Sequence, residues 1–220
     1  MFLASSTGSL VWASRLRYTD GFVSAAARAG NAVTNRRASG HFHAVQFYES
    51  DDSLITIVAR FLADGFRQSQ PGVVIATPEH CVAIEESLAA YQLDARRMKQ
   101  LGDLVVLDAR EVLGTIMADG RPHAPSFKHV LGSTFAEVAR IHPERTIRAY
   151  GEMVDVLWKD GMTAAAIRLE TLWNELAKSY DFKLLCGYSM GNFYKDAAVG
   201  EITRQHSHLL ADTGEAATIN

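Results

Sequence analysis

The sequence predicts an α/β domain, a three-layer arrangement with a parallel-dominated sheet. Two observations carry the class. Short runs that are apolar throughout, such as "VVIAT" (73–77) and "LVVLDA" (104–109), suit parallel strands covered on both faces. Between them lie longer segments with apolar residues at helical spacing, and strands alternating with such helices imply right-handed parallel crossovers.

The elements follow in order from His41. "HAVQFY" (43–48) reads as a short buried strand. Ser50 or Asp51 can cap the helix after it, because either side chain can accept from a free backbone N–H. Leu54, Ile57, Val58, Phe61 and Leu62 then form one helical stripe, and Pro71-Gly72 ends the run. The strand at 73–77 leads to a helix over 79–92, and the strand at 104–109 to a helix near 110–118 and the turn-rich "ADGRPHAP". Phe127, Val130, Leu131, Val138 and Ile141 mark a helix over 126–141. "TIRAYGEM" (146–153) reads as a fourth strand, 163–180 as a helix with a long apolar stripe, and "FKLLCGYS" (182–189) as a fifth strand. A last helix is expected over 195–209, with a loose tail over 210–220.

Composition sets the outer limits. The chain has 220 residues, 48% hydrophobic and 21% charged, and no apolar run nears the roughly 18 residues of a membrane helix. Two cysteines, Cys81 and Cys186, form no disulfide framework and suit a reducing cytoplasm. Residues 1–40 hold five arginines and one acid, Asp20, which leaves 17 Lys+Arg against 24 Asp+Glu in the rest. This leader resembles a transit peptide in composition but reads more simply as an upstream extension that contributes little to the fold. The acidic body offers no electrostatic footprint for nucleic acid.

Ligands of open parallel sheets bind at the carboxyl ends of the strands. That rule selects Tyr48, Glu49, Glu79, His80, Arg148, Glu152 and Tyr188 as candidate ligand-binding residues. Glu152 could hold a ligand cation or hydroxyl, or pair with Arg148 as a structural ion pair; the residues alone leave both open. The place where a phosphate-binding loop would follow the first strand reads "YESDDSL", with no glycine, no lysine and three acids. No GxxxxGK[ST] occurs in the chain, so ATP hydrolysis is not expected.

Other chemistry is weakly signalled. "GYSMG" (187–191) has the spacing of a nucleophile elbow around Ser189, with Asp196 and His206 or His208 as partners, but all lie within some 20 residues. The H-x-H pairs His41/His43 and His206/His208 can bind zinc on a strand, yet read more simply as surface or capping histidines. Cys81 and Cys186 read as ordinary buried thiols. No catalytic residue, metal or cofactor is assigned.

The order of "HAVQFYES", "FLADGFRQSQPGVVIATPE", "IRAYGEMVDVLW", "LETLWNEL", "FKLLCGYSMGNF" and "RQHSHLL" resembles the MEDS domain, the sensory domain of methanogen and methylotroph regulators. Its most specific pieces are Arg148, Gly151, Glu152 and Met153, with Cys186 and Tyr188. The resemblance implies a fold similar to RecA-like and circadian-clock-type ATPases that has lost its phosphate loop. It implies a cytoplasmic sensory module, of the kind used in transcription regulation. Its partners would be a small-molecule ligand, a protein such as a histidine kinase or regulator, or both, and a homo-oligomer is compatible. Two departures stand out: the domain here is nearly alone, and Ser207 follows His206 where proline would be expected. The alternatives are a hydrolase using Ser189 and a ligand-free partner-switching interaction protein.

Overall fold

A computed structural model of the chain describes residues 41–192, 199–211 and 215–219. The leader and Asp196 lie outside the described residues. Strand β1 (His43–Tyr48) leads into helix α1 (Asp51–Phe66), then β2 (Gly72–Ala76), α2 (Pro78–Leu88), α3 (Ala95–Leu101) and β3 (Leu104–Asp108). Helix α4 (Ala109–Ile116), a two-strand hairpin of β4 (Met117–Ala118) and β5 (Arg121–Pro122), and α5 (Ala124–Ile141) follow. The remaining elements are β6 (Ile147–Gly151), α6 (Met153–Lys159), α7 (Thr163–Leu176), β7 (Phe182–Ser189), α8 (Val199–Gln205), β8 (His208–Leu210) and β9 (Ala216–Thr218).

The main sheet has seven strands in the order β3-β2-β6-β7-β1-β8-β9. Every neighbouring pair is parallel except β8 and β9. Successive strand residues face opposite sides, and this alternation divides the core. Val45, Val73, Ile75, Ala149, Leu184 and Cys186 face the layer containing α4, α5, α6 and α7. Ala44, Tyr48, Val74, Ala76, Tyr150 and Leu185 face the layer containing α1, α2 and α3. Trp173 of α7 is fully buried and meets the ring of Phe127 edge-on at 5.3 Å, a geometry favoured by the ring quadrupoles.

Local chemistry fixes the element boundaries. The Ser50 hydroxyl accepts from the Ser53 N–H, and Asp51 and Asp52 suit the positive end of α1. Pro78 opens α2, where the missing N–H costs nothing. Asp94 caps α3, and Gly102, at φ +81°, closes it in the left-handed region. Asp108 ends β3 and accepts from the N–H groups of Arg110 and Glu111 at the start of α4.

The structure corrects the sequence reading in three places. The helix expected over 79–92 ends at Leu88 in a 3-10 turn, and α3 follows unexpectedly. The strand expected over 146–153 stops at Gly151, because Met153 opens the buried helix α6. The helix expected over 195–209 ends at Gln205: His208 instead pairs with Ala44 in β8, and the tail supplies β9.

Gly65 sits where α1 crosses β6, and a Cβ there would overlap Arg148 Cγ. Arg148 is held by Gln70, to which its Nε donates at 2.7 Å, and by the Phe61 ring beneath its guanidinium. Gly65→Ala gains about 1 kcal/mol of helix propensity, but overpacking costs about 1–3 kcal/mol. The variant is therefore expected to be less stable in chemical denaturation. In the Arg148→Ala background the same change should be neutral or stabilising; equal destabilisation in both backgrounds would refute the steric account.

Candidate functional site

The carboxyl ends of β1, β2, β6 and β7 carry an acidic cluster. Glu152 follows β6 and is 1% exposed. Its Oε2 accepts from the Thr77 N–H at 3.1 Å, and its Oε1 lies 2.9 Å from His80 Nδ1. The other ring nitrogen of His80 lies 3.5 Å from Asp51 at the start of α1. An imidazole thus bridges carboxylates from two different strand ends. The interaction with Glu152 raises the His80 pKa above its ordinary value, against the burial that works to lower it.

A second carboxylate lies beside the first. Asp155, on α6, is fully buried. It accepts from the Tyr48 hydroxyl at 2.8 Å and from the Ser189 N–H at 2.9 Å, and Lys159 pairs with it at 2.8 Å. The Lys159 ammonium also donates to the Tyr48 oxygen at 3.1 Å. Burial, and then the Asp155 charge, push the Tyr48 phenol far up, so it acts as a neutral donor. The rim therefore combines two anchored carboxylates with one histidine and one lysine.

Among the residues expected at this rim, Tyr48, His80 and Glu152 come together. Glu49 and Glu79 sit nearby in sequence but are exposed, Glu79 in the first turn of α2. Arg148 lies at the other end of β6, opposite Gly72 at the start of β2, so it forms no ion pair with Glu152. Tyr188 is at the carboxyl end of β7, yet its ring faces α7 and its hydroxyl donates to Glu170 at 2.8 Å. Asp51, Asp155 and Lys159 complete the rim; Asp51 follows the first strand in the sequence and Asp155 follows Glu152 at three residues, as the strand-end rule allows.

The alternative Ser189 triad is not assembled by the described residues. Ser189 is paired with Tyr48 at the end of β1, whereas His208 is paired with Ala44 near its start. Four residues of strand separate those positions, about 13 Å. The His206 ring lies 4.1 Å from that of His43, tilted by 46°, again at the start of β1.

On the α7 face of the sheet lies a different polar group. His43, Glu170, Cys186 and His206 bring their side-chain N, O and S atoms within 4.8 Å of one another, and all four are buried. The expectation of surface or capping histidines is met in part: His206 Nδ1 lies 2.7 Å from the Ile202 carbonyl in the last turn of α8, but both His43 and His206 are buried, enclosed by the sheet and helices α7 and α8. Burial, and then the neighbouring His206, lower the His43 pKa, while burial and then Glu170 raise that of Cys186. Burial works to raise the Glu170 pKa, but His206 and His43 outweigh it and hold the carboxyl well below the usual range.

Stability should report the His80 contact through pH. Its raised folded pKa contributes stability that is fully present below the ordinary value of about 6.5 and is lost as pH rises through the folded value. The difference in stability between wild type and His80→Gln should therefore shrink from pH 6 to alkaline pH. A difference that stays constant or grows would show that His80 does not hold its proton on Glu152.

Comparison with known proteins places this geometry. The chain is similar in structure to the uncharacterized protein PH0321 from Pyrococcus horikoshii, solved in complex with an unknown peptide. The TM-score is 0.55 at 12% identity, covering 82% of this chain and 84% of that one. It is also similar to the KaiC-like protein PH0186 from Pyrococcus horikoshii OT3, with a TM-score of 0.53 at 12% identity, over 76% of this chain and 70% of that one. These likenesses show a RecA- and KaiC-like fold. No curated protein matches the chain in sequence. Among the described residues no helix is long and apolar enough to cross a membrane. The model of the MEthanogen/methylotroph, DcmR Sensory domain matches residues 42–207, and the chain belongs to this MEDS family.

Proposed function

We propose that the chain is a sensory module whose strand-end rim receives a small molecule, a protein partner or both, without hydrolysing ATP. Membership of a sensory-domain family supports the signalling role. Glu152 carries the assignment to the rim. A buried carboxylate is costly unless its partners are fixed, and this one is held between Thr77 and His80 at the end of the sheet where such folds bind ligands. His80 and Lys159 supply donors and Asp51 supplies an acceptor, above the buried Tyr48–Asp155 pair that fixes Lys159.

The same rim disfavours a nucleoside triphosphate. A helix amino terminus following the first strand of a parallel sheet attracts phosphate through its free N–H groups. At α1 the Ser50 hydroxyl takes one of those groups, and Asp51 and Asp52 add negative charge. A cytoplasmic partner of histidine-kinase or transcription-regulator type fits a module of this size, and self-association is compatible with it.

Two measurements test the reading. Calorimetric titration with MgATP should give no saturable heat, and a micromolar dissociation constant would overturn the second half of the proposal. A thermal-shift screen of small polar organic molecules should yield ligands that stabilise the wild type and not Glu152→Gln. That variant is nearly isosteric and keeps an acceptor for Thr77, so its own melting temperature should stay within a few degrees. Ligands that stabilise both proteins equally would place the site elsewhere.

A further inference from the structure

The buried group on the α7 face gathers imidazole nitrogens and a thiol around a single carboxylate. Asn174 donates through Nδ2 to the Gln205 carbonyl at 3.0 Å, which turns its Oδ1 toward His43 Nδ1 at 3.0 Å. That oxygen can only accept, so the His43 ring carries its proton on Nδ1 and presents a bare Nε2. His206 is arranged in the same way, with Nδ1 2.7 Å from the Ile202 carbonyl and Nε2 facing inward. Between the two inward-facing nitrogens stands the Glu170 carboxylate, 3.1 Å from His43 Nε2 and 3.4 Å from His206 Nε2. Each of these gaps has room for a proton or for a metal cation.

Few other hydrogens reach this group. The Tyr188 hydroxyl donates to Glu170 Oε1. The Cys186 thiol has one hydrogen and two acceptors in reach, His43 Nε2 at 3.4 Å and Glu170 Oε2 at 3.6 Å. The His206 Nε2 is buried and finds no hydrogen-bond partner among the described residues.

We propose that His43 Nε2, Glu170, Cys186 Sγ and His206 Nε2 form a binding site for a zinc-class divalent transition-metal ion. Tetrahedral zinc has bonds of about 2.0–2.3 Å, which set its ligand atoms about 3.3–3.8 Å apart. Four of the contacts within this group run from 3.1 to 3.6 Å, and all the ligand atoms lie within 4.8 Å of one another. The donor set of two imidazoles, a thiolate and a carboxylate is one that zinc and its neighbours accept. Its charge balances: a thiolate and a carboxylate against a divalent cation, with the thiol proton released to solvent on binding. The outer contacts also fit, since a metal-bound histidine donates its other N–H to a carbonyl-type oxygen, as both rings do here. Four protein ligands make a closed site, of the kind that joins chain segments. It would fasten the segment after α8, through His206, to β1, β7 and α7. The site lies on the opposite face of the sheet from Tyr48, so its test is independent of the rim.

The full chain, stripped with chelator and titrated with Co(II), should bind one ion per chain. It should show a thiolate-to-cobalt charge-transfer band and the intense d–d bands of tetrahedral coordination, and Zn(II) should abolish both. Cys186→Ser and His206→Gln should each remove the stoichiometric spectrum, and Cys81→Ser should leave it unchanged. Asn174→Ala, which frees the His43 ring, should weaken binding by about 10–100-fold. If the wild-type chain, folded by circular dichroism, gives no stoichiometric tetrahedral spectrum, the proposal is wrong. A spectrum that survives both Cys186→Ser and His206→Gln also overturns it. Where one of those two variants does not fold, the other decides.

Discussion

The Glu170 carboxylate is the constraint on which one half of the sheet depends. It projects from the middle of α7 into a site closed to water, where a charge without partners costs several kcal/mol. Its partners come from every element around it: His43 from β1, Cys186 and Tyr188 from β7, and His206 from the segment after α8. One turn along α7, Asn174 ties the same histidine to the Gln205 carbonyl. Ser207 then continues the link, its hydroxyl accepting from the His43 N–H and donating to the His41 carbonyl. The position of β8 beside β1 follows from this chain of polar contacts as much as from Leu210, its one buried apolar residue.

The rim obeys different electrostatics on the same topology. A parallel sheet points its helix amino termini at the strand ends, which favours anions there. This chain places its own acids in that field. Asp51 and Asp52 occupy the first turn of α1, and Asp155 the first turn of α6. His80 and Lys159 then pair with the carboxylates, so the positive field is satisfied internally. Within this fold, side-chain carboxylates thus occupy the helix amino termini that bound anions can also occupy.

The fold was legible where a single signal ruled. β1 runs over the residues its apolar pattern marks, 43–48, because both its faces are covered. β3 ends within one residue of its expected end because Asp108 is at once its last member and the cap of α4. Legibility failed where burial erased periodicity. Six of the seven residues of α6 are buried, so "MVDVLWK" shows no polar face and merges with the strand before it. Helix α3, "ARRMKQL", has almost no apolar stripe, and only Asp94 and Gly102 announced it. The site divided in the same way. The strand-end rule located Tyr48, His80 and Glu152, but it is blind to the face on which a side chain leaves the strand, and so it included Tyr188. The buried group was hidden for a further reason: each H-x-H pair contributes one histidine, and Glu170 sits unremarked inside a helical stripe.

The two polar groups share strands although the sheet separates them. His43 opens β1 and Tyr48 closes it, about 16 Å apart along the strand. Odd-numbered side chains of β1 face α7 and even-numbered ones face α1, so one group cannot touch the other directly. Their connection is the ladder itself, which pairs Tyr48 with Ser189 and Val45 with Cys186. At the rim, Asp155 bridges the same two strands, holding the Tyr48 hydroxyl of β1 and the Ser189 N–H of β7. The parallel pair β1–β7 is thus held by its six-residue ladder, with a carboxylate across its carboxyl end and a histidine–cysteine contact further along.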